Sequence, residues 1–79
     1  MVTVHRAHGL RIVIFVDDHE PAHGHVFGDG EAKINLADGD GGPELIFAIG
    51  MTRADIRRAM DVVKERQAYL LKRWSEIHG

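Results

Sequence analysis

The stretch HGHVFGDGEAKINL, residues 23–36, has the pattern of two short strands joined by a tight turn. Apolar and polar residues alternate over 32–36, and in a strand this alternation places the three apolar side chains on one face. Residues 28–30, Gly-Asp-Gly, supply the positive φ angles that a tight hairpin turn commonly needs. We therefore expect a hairpin whose first strand covers residues 23–27.

Two further apolar runs extend this strand pattern. Residues 11–16, RIVIFV, are apolar on both alternating faces, which is typical of a central strand that is covered on two sides. Residues 45–49, LIFAI, predict a fourth strand that ends at Gly50. Between the third and fourth strands, residues 37–43, ADGDGGP, have the composition of a surface loop.

From Thr52 onward the pattern becomes that of an amphipathic helix. Thr52 is a candidate N-cap, and Asp55 three residues later is a carboxylate partner for a capping box. At about 100° per residue, one apolar stripe falls within an arc about 100° wide, and we expect it to be buried. Its members are Ile56, Ala59, Met60, Val63, Gln67, Leu70, Trp74 and Ile77.

The length of this helix leaves two alternatives. A continuous helix over residues 53–77 would be about 37 Å long, whereas a globule of this size is only about 30 Å across. Either the helix breaks near residues 65–68, or its end projects and packs on something else. We favour a long helix whose end forms a dimer or partner contact through Leu70, Trp74 and Ile77.

These patterns predict one α+β domain over residues 1–79, strand-rich over 1–50 and helical over 51–79. We expect a three- to four-stranded, mainly antiparallel sheet packed against a long C-terminal amphipathic helix. The chain has 79 residues and no cysteine, which excludes disulfides and thiolate metal sites. Its longest apolar run, residues 12–16, is too short to cross a membrane, so we expect a soluble, cytoplasmic protein without a membrane partner.

Charge is distributed unevenly along the chain. Residues 1–50 hold three basic and eight acidic side chains, a net −5, and residues 51–79 hold seven basic and four acidic, a net +3. This asymmetry could steer a charged partner, or it could stabilise one half against the other.

Arg53, Arg57 and Lys64 lie within about 40° of one another on the helix. They could contact nucleic-acid phosphates, or they could form a solvated face paired with Asp61.

The densest cluster of chemically active residues is DDHEPAHGH, residues 17–25. His23 and His25 are two apart, so on a strand their imidazoles lie on the same face. The pair could bind a divalent metal such as zinc, could act as general acid and base in phosphodiester cleavage, or could have a structural role. A third metal ligand could come from the preceding turn, from Asp17, Asp18 or His19.

An ordered set of residues resembles the small bacterial domain-of-unknown-function family DUF4160 over nearly the whole chain. The family's common form is D-H-x-P-P-H-V-H-V, and here Ala22 and Gly24 replace the second Pro and the middle Val. The matching residues are Thr3-Val4, Gly9 before 11–16, Asp18-His19-x-Pro21-x-His23-x-His25-Val26, Gly30-Glu31-Ala32-Lys33-Ile34 and Trp74-x-x-Ile77-His78-Gly79.

The resemblance implies a gene neighbour. Members of the family are typically encoded beside a second small protein, and this pairing resembles a type II toxin–antitoxin module. Two hypotheses for function follow. The first is a component of such a two-gene module that acts through protein–protein binding, either with the neighbour's product or by self-association. The second is a small metal- or histidine-dependent ribonuclease or nuclease that uses the His-x-His strand.

Overall fold

The computed structural model describes residues 2–36 and 41–79. Five strands form one antiparallel sheet in chain order, β1-β2-β3-β4-β5, and two helices follow. The elements are β1 (Val2–Ala7), β2 (Leu10–Ile14), β3 (His23–Phe27), β4 (Glu31–Asn35), β5 (Glu44–Ile49), α1 (Arg53–Glu65) and α2 (Gln67–His78). The α+β class is confirmed, and the strand number is five rather than three or four.

The additional strand is β1, which pairs with β2. Its register shifts between Thr3 and His5, and this bulge breaks the simple apolar alternation that identifies a strand in sequence. The turn between β1 and β2 contains His8 and Gly9 with φ angles of 54° and 77°. These two consecutive left-handed residues are typical of a two-residue hairpin turn.

The hairpin of β3 and β4 is confirmed, but the predicted reason for its glycines is wrong. Neither Gly28 nor Gly30 lies in the left-handed region of φ. Gly30 is instead required by a close approach, because a Cβ there would lie only 2.2 Å from the carbonyl oxygen of Ile49. The glycine therefore lets the end of β5 pack directly against the hairpin turn.

The core lies between one face of the sheet and the two helices. Alternate residues of β2, β3 and β4 point toward the helices, and β2 is covered on both faces, as the sequence predicted. Val16 is exposed, because β2 ends at Ile14. The core residues include Ile12, Ile14, Val26, Ala32 and Ile34 from the sheet, Ala59, Val62 and Val63 from α1, and Leu70 and Trp74 from α2.

The helix begins as predicted but does not continue as one rod. The Thr52 side chain accepts a hydrogen bond from the Asp55 backbone, and the Asp55 carboxylate accepts one from the Thr52 backbone, which completes the capping box. α1 ends at Glu65, and α2 begins at Gln67 after Arg66, whose backbone angles are φ −109° and ψ 17°. The prediction of a long continuous helix is therefore wrong, and the alternative of a break near residues 65–68 is confirmed.

The break lets α2 turn onto the protein's own sheet. The Gln67 side chain donates a 2.7 Å hydrogen bond to the Leu36 carbonyl oxygen, which anchors the start of α2 at the end of β4. Leu70 and Trp74 are buried in the core, and Ile77 is half-buried. The apolar stripe is thus buried or half-buried, as expected. Leu70 and Trp74, which the sequence predicted as a partner interface together with Ile77, pack within the same chain.

Two remaining features complete the fold. Of the predicted loop 37–43, residues 37–40 lie outside the described residues, while 41 and 42 are exposed. Within residues 2–36 and 41–79, neither helix combines the length and apolarity needed to span a bilayer.

Candidate functional site

Asp18, His23 and His25 form a compact cluster. One Asp18 carboxylate oxygen, Oδ2, lies 2.9 Å from Nε2 of His23 and 3.4 Å from Nε2 of His25. One ligand atom from each of the three residues lies within 4.8 Å of the others. Alternation along β3 places both imidazoles on one face of the strand, while Val26 points toward the helices. We call this cluster the triad.

The segment between β2 and β3 brings the carboxylate to the two imidazoles. The backbone N–H of Asp18 donates to the Phe15 carbonyl oxygen at 3.1 Å, which closes a turn directly after β2. The chain then passes through the cis Glu20–Pro21 peptide bond and enters β3 at His23. Asp18 therefore faces back toward the start of β3 instead of continuing the strand direction into solvent.

Each imidazole is oriented by a hydrogen bond at its other nitrogen. Nδ1 of His23 lies 2.8 Å from the Pro21 carbonyl oxygen, and Nδ1 of His25 lies 3.3 Å from a Glu31 carboxylate oxygen. Both of these oxygens are acceptors, so each Nδ1 carries the proton and donates it. In a neutral imidazole this leaves Nε2 with a free lone pair, and both Nε2 atoms lie beside Asp18.

Aromatic rings surround the triad and limit its access to solvent. The Phe15 ring meets the His25 ring edge to face at 4.7 Å between centroids, and the Trp74 ring lies 5.2 Å from the His23 ring. The indole N–H of Trp74 donates to a Glu20 carboxylate oxygen at 3.1 Å. The side chains of His23 and His25 are only 7% and 13% exposed, so their charges and lone pairs are poorly screened by water.

The structure brings together three of the residues that the sequence predicted as metal ligands. Asp18, His23 and His25 come together, whereas His19, another of the predicted metal ligands, is exposed and is not a member of the cluster. Sequence reasoning missed Glu31, although the short turn between β3 and β4 places it near the histidines. It also missed Trp74 as a neighbour of His23, because only the break at Arg66 brings α2 to the start of β3.

The predicted nucleic-acid residues do not join the triad. Arg53, Arg57 and Lys64 are exposed on α1, the helix that packs on the opposite face of the sheet from the two imidazoles. The strand residues Arg6, Arg11 and Lys33 are the cations that the register places on the triad's own face. The Arg11 guanidinium lies 5.4 Å from the Phe27 ring centroid, and Lys33 is the β4 partner of His25.

A cavity lies beside Trp74, the residue that also contacts the triad. Its volume is about 460 Å³, and Trp74 forms part of its lining while also contacting His23. The other walls come from the segment before β3, the end of β4, the start of β5 with the residues before it, and α2. Pro21, Asn35, Glu44 and Leu71 are among them.

A second unusual surface lies at the sheet edge formed by β5. Its large apolar side chains are exposed: 36% for Leu45, 44% for Ile46, 38% for Phe47 and 66% for Ile49. β5 pairs with β4 on one side, and among the described residues no strand pairs with its outer side. The apolar pattern of residues 45–49 predicts a strand, but it does not indicate that this strand lies at an exposed edge of the sheet.

The fold and the triad together define a small α+β domain with a histidine–carboxylate cluster at the start of β3, beside Trp74 of α2. A family model described as Domain of unknown function (DUF4160) matches residues 9–75. This match covers most of the chain, and the chain therefore belongs to that family. No curated protein and no solved structure matched the chain.

Proposed function

We propose that this domain is the protein-binding component of a two-gene, toxin–antitoxin-like module, and that its partner adds a strand to β5. The observation that carries this proposal is the exposed apolar edge. A strand at a sheet edge presents unpaired backbone N–H and C=O groups, and natural proteins usually protect such an edge with charges or cover it. β5 has neither a basic residue nor, among the described residues, a covering element.

The opposite edge of the same sheet makes the contrast clear. β1 carries Arg6 and Thr3 as exposed polar residues, and its register contains a bulge. Both features discourage pairing with another chain. On β5, Leu45 lies opposite Ile34 on the helix-facing side, whereas Phe47 lies opposite Lys33 on the other side. A partner strand would therefore bury apolar side chains on both faces of the extended sheet.

Charge around β5 supports a partner of different sequence rather than a second copy. Glu44 begins the strand, and Glu31 lies opposite Ile49 at its other end. In an antiparallel pair of two β5 strands, Glu44 of one copy would lie opposite Ile49 of the other, which sets a carboxylate against an apolar side chain at each end of the pair. The occupant that fits is an extended segment of another protein, apolar in the middle and basic at both ends. The net −5 charge of residues 1–50 favours the same partner.

The family resemblance supports the same conclusion from another direction. The resemblance implies that members are encoded beside a second small protein, which we propose as the source of this strand. Strand addition also suits a small domain, because main-chain hydrogen bonds supply affinity without requiring a large preformed pocket.

The test is co-expression of the untagged chain with a tagged protein from the neighbouring gene, followed by size-exclusion chromatography with light scattering. Wild type is expected to form a stable hetero-complex. Ile49→Lys is expected to weaken it, and Val16→Lys is the matched control, since Val16 is also exposed, at 54%, but lies outside β5. A complex that tolerates Ile49→Lys would contradict the proposal, and so would a homodimer that excludes the neighbour's product.

The expected size of the effect follows from exposure. Fully burying an isoleucine side chain is worth about 1.5–3 kcal/mol. Ile49 is 66% exposed, so docking can add about 1–2 kcal/mol at this residue. Because about 1.4 kcal/mol corresponds to a tenfold change in affinity, Ile49→Lys is expected to raise the Kd about tenfold or more.

A second candidate function is supported by the triad: a histidine-dependent or metal-dependent ribonuclease. The His23 and His25 rings lie 5.4 Å apart, and Arg11 and Lys33 place two cations on the same sheet face. One imidazole would accept the proton of the attacking ribose hydroxyl while the other donates a proton to the leaving oxygen. The two cations would stabilise charge on the phosphate.

Growth of a bacterial host tests this candidate. The gene is induced alone, together with its neighbour, and as the His23→Ala, His25→Ala double variant. Arrest that is relieved both by the neighbour and by the double variant supports the nuclease. If no arrest occurs in any arm, the nuclease candidate is rejected and the binding role stands alone.

A further inference from the structure

We infer that Asp18, His23 and His25 bind a divalent first-row transition metal of the zinc type, through the two Nε2 atoms and Oδ2 of Asp18. This inference concerns the triad alone and holds whether or not β5 binds a partner. Two imidazoles and one carboxylate form a donor set that suits zinc and its neighbours, whereas magnesium and calcium prefer oxygen ligands alone.

The spacing of the donor atoms is close to that of a tetrahedral zinc site. In a tetrahedral zinc site with bonds of about 2.0–2.1 Å, the ligand atoms lie about 3.3 Å from one another. Oδ2 of Asp18 lies 2.9 Å from one Nε2 and 3.4 Å from the other. The longest separation within the cluster is no more than 4.8 Å. An ion placed among the three atoms therefore needs only small side-chain adjustments to reach bonding distance.

The two imidazole rings are oriented as metal-binding histidines usually are. Nδ1 of His23 donates to the Pro21 carbonyl oxygen, and Nδ1 of His25 donates to Glu31. Histidines that bind metals almost always donate their second ring N–H to a carbonyl or carboxylate in this way. The bonds fix each ring and leave both Nε2 lone pairs beside the Asp18 carboxylate. In this tautomer three electron-rich atoms face one another, an arrangement that a cation among them stabilises.

The buried Oδ2 atom of Asp18 also lacks a hydrogen-bond donor. This oxygen is fully buried and receives no hydrogen bond of acceptable geometry, although His23 Nε2 is 2.9 Å away. The distance is short, but the pair does not form a hydrogen bond. Donors arranged around a common point, rather than along one N–H axis, are what a coordinated ion produces, because each lone pair then points at the ion.

The surroundings favour retention of an ion and leave a coordination position open. Phe15 and Trp74 pack against His25 and His23 respectively, and their low polarity strengthens electrostatic attraction inside the site. Three protein ligands leave one tetrahedral position for water or another ligand, as in catalytic zinc sites. Asp18 retains a side-chain exposure of 23%, which gives solvent access to the cluster.

The test is calorimetric titration of the tag-free protein with zinc sulfate, accompanied by a thermal melt with and without zinc. Wild type is expected to bind one equivalent. At a free zinc concentration about 100 times the Kd, its Tm is expected to rise by about 10 °C or more. Absence of binding, or binding without a rise in Tm, would overturn the inference.

Two variants locate the ion. Asp18→Asn preserves the shape of the side chain but removes its charge. Its affinity for zinc is expected to fall by at least 10- to 100-fold, because this is the usual loss when only an outer-shell partner of a metal ligand is removed. His19→Ala is the matched control, because His19 adjoins Asp18 in sequence but is exposed outside the cluster, and its affinity is expected to match wild type. Equal loss in both variants, or in neither, would overturn the assignment.

The circular dichroism spectrum of each variant is recorded first to confirm folding. If Asp18→Asn does not fold, His25→Asn is compared with His19→Ala instead. His25 is chosen because Trp74 packs against His23 and not against His25. Cobalt(II) provides an independent readout, since its visible spectrum reports the donor set. We expect a tetrahedral-type cobalt spectrum in wild type and in His19→Ala, but not in the ligand variant. An octahedral aqua-type spectrum in wild type would overturn the inference.

Discussion

Two glycines in one turn provide a sharp test of how β5 is held in place. A Cβ at Gly30 would lie 2.2 Å from the Ile49 carbonyl oxygen and 2.4 Å from the Gly50 carbonyl carbon. Both atoms belong to the backbone, so they can only move together with the end of β5. At Gly28 the nearest atom is 2.8 Å away, but it is the terminal methyl of Leu10, a flexible side chain that can rotate.

The magnitude follows from this difference. Overpacking against a structured region typically costs about 1–3 kcal/mol, and the backbone contact at Gly30 places Gly30→Ala near the upper end. For Gly28→Ala we expect less than about 1 kcal/mol, because side-chain rotation relieves the contact. Either change reduces the entropy of the unfolded chain by a similar amount, so this contribution cancels in the comparison. The two variants should therefore differ by about 2 kcal/mol, or about 8–16 °C in Tm.

The assay is urea unfolding followed by the fluorescence of Trp74, the chain's single tryptophan. Gly30→Ala is expected to unfold at clearly lower urea concentration than Gly28→Ala, with similar slopes. It should also weaken partner binding more than Gly28→Ala does, because the displaced backbone belongs to the docking strand. Equal unfolding midpoints for the two variants would refute the close packing of β5 on the turn.

Two further substitutions test the turn of the chain at Arg66. Gln67→Ala leaves the Leu36 carbonyl oxygen without its 2.7 Å donor, and we expect a loss of about 1–3 kcal/mol in the free energy of unfolding, measured in urea. A stability equal to wild type would contradict the anchoring role of this bond. Leu70→Ala removes a side chain with no exposed surface, so the loss should be about 2–5 kcal/mol, measured by thermal unfolding. If Leu70→Ala instead left stability intact and abolished partner binding, the sequence-based interface at α2 would be correct after all.

Much of the fold could be predicted from periodicity, and the errors have identifiable physical causes. The strands were predicted where apolar residues alternate or run together, and the capping box at Thr52 was evident from its spacing. A break near residues 65–68 was one of two alternatives, but the sequence did not favour it, because neither Gly nor Pro marks it. It is stabilised by a tertiary hydrogen bond from Gln67 to a residue 31 positions away in sequence, which no local pattern reports.

The candidate site was predictable to the extent that it is local. His23 and His25 share a strand face by simple alternation, and Asp18 lies in the turn just before that strand. The sequence could not separate Asp18 from its neighbours Asp17 and His19, since only the turn closed at Phe15 determines which side chain faces inward. The role of β5 as an exposed edge was equally hidden, because strand order is a property of the whole sheet.

The most direct test of the proposed function is amide hydrogen exchange of the chain, alone and mixed with the purified product of the neighbouring gene. Strand addition predicts that the outward amides of Glu44–Ile49 exchange at least about tenfold more slowly in the mixture, with little change in β1. Protection confined to α2, or exchange in β5 that is unchanged while a complex is present, would contradict docking at this edge.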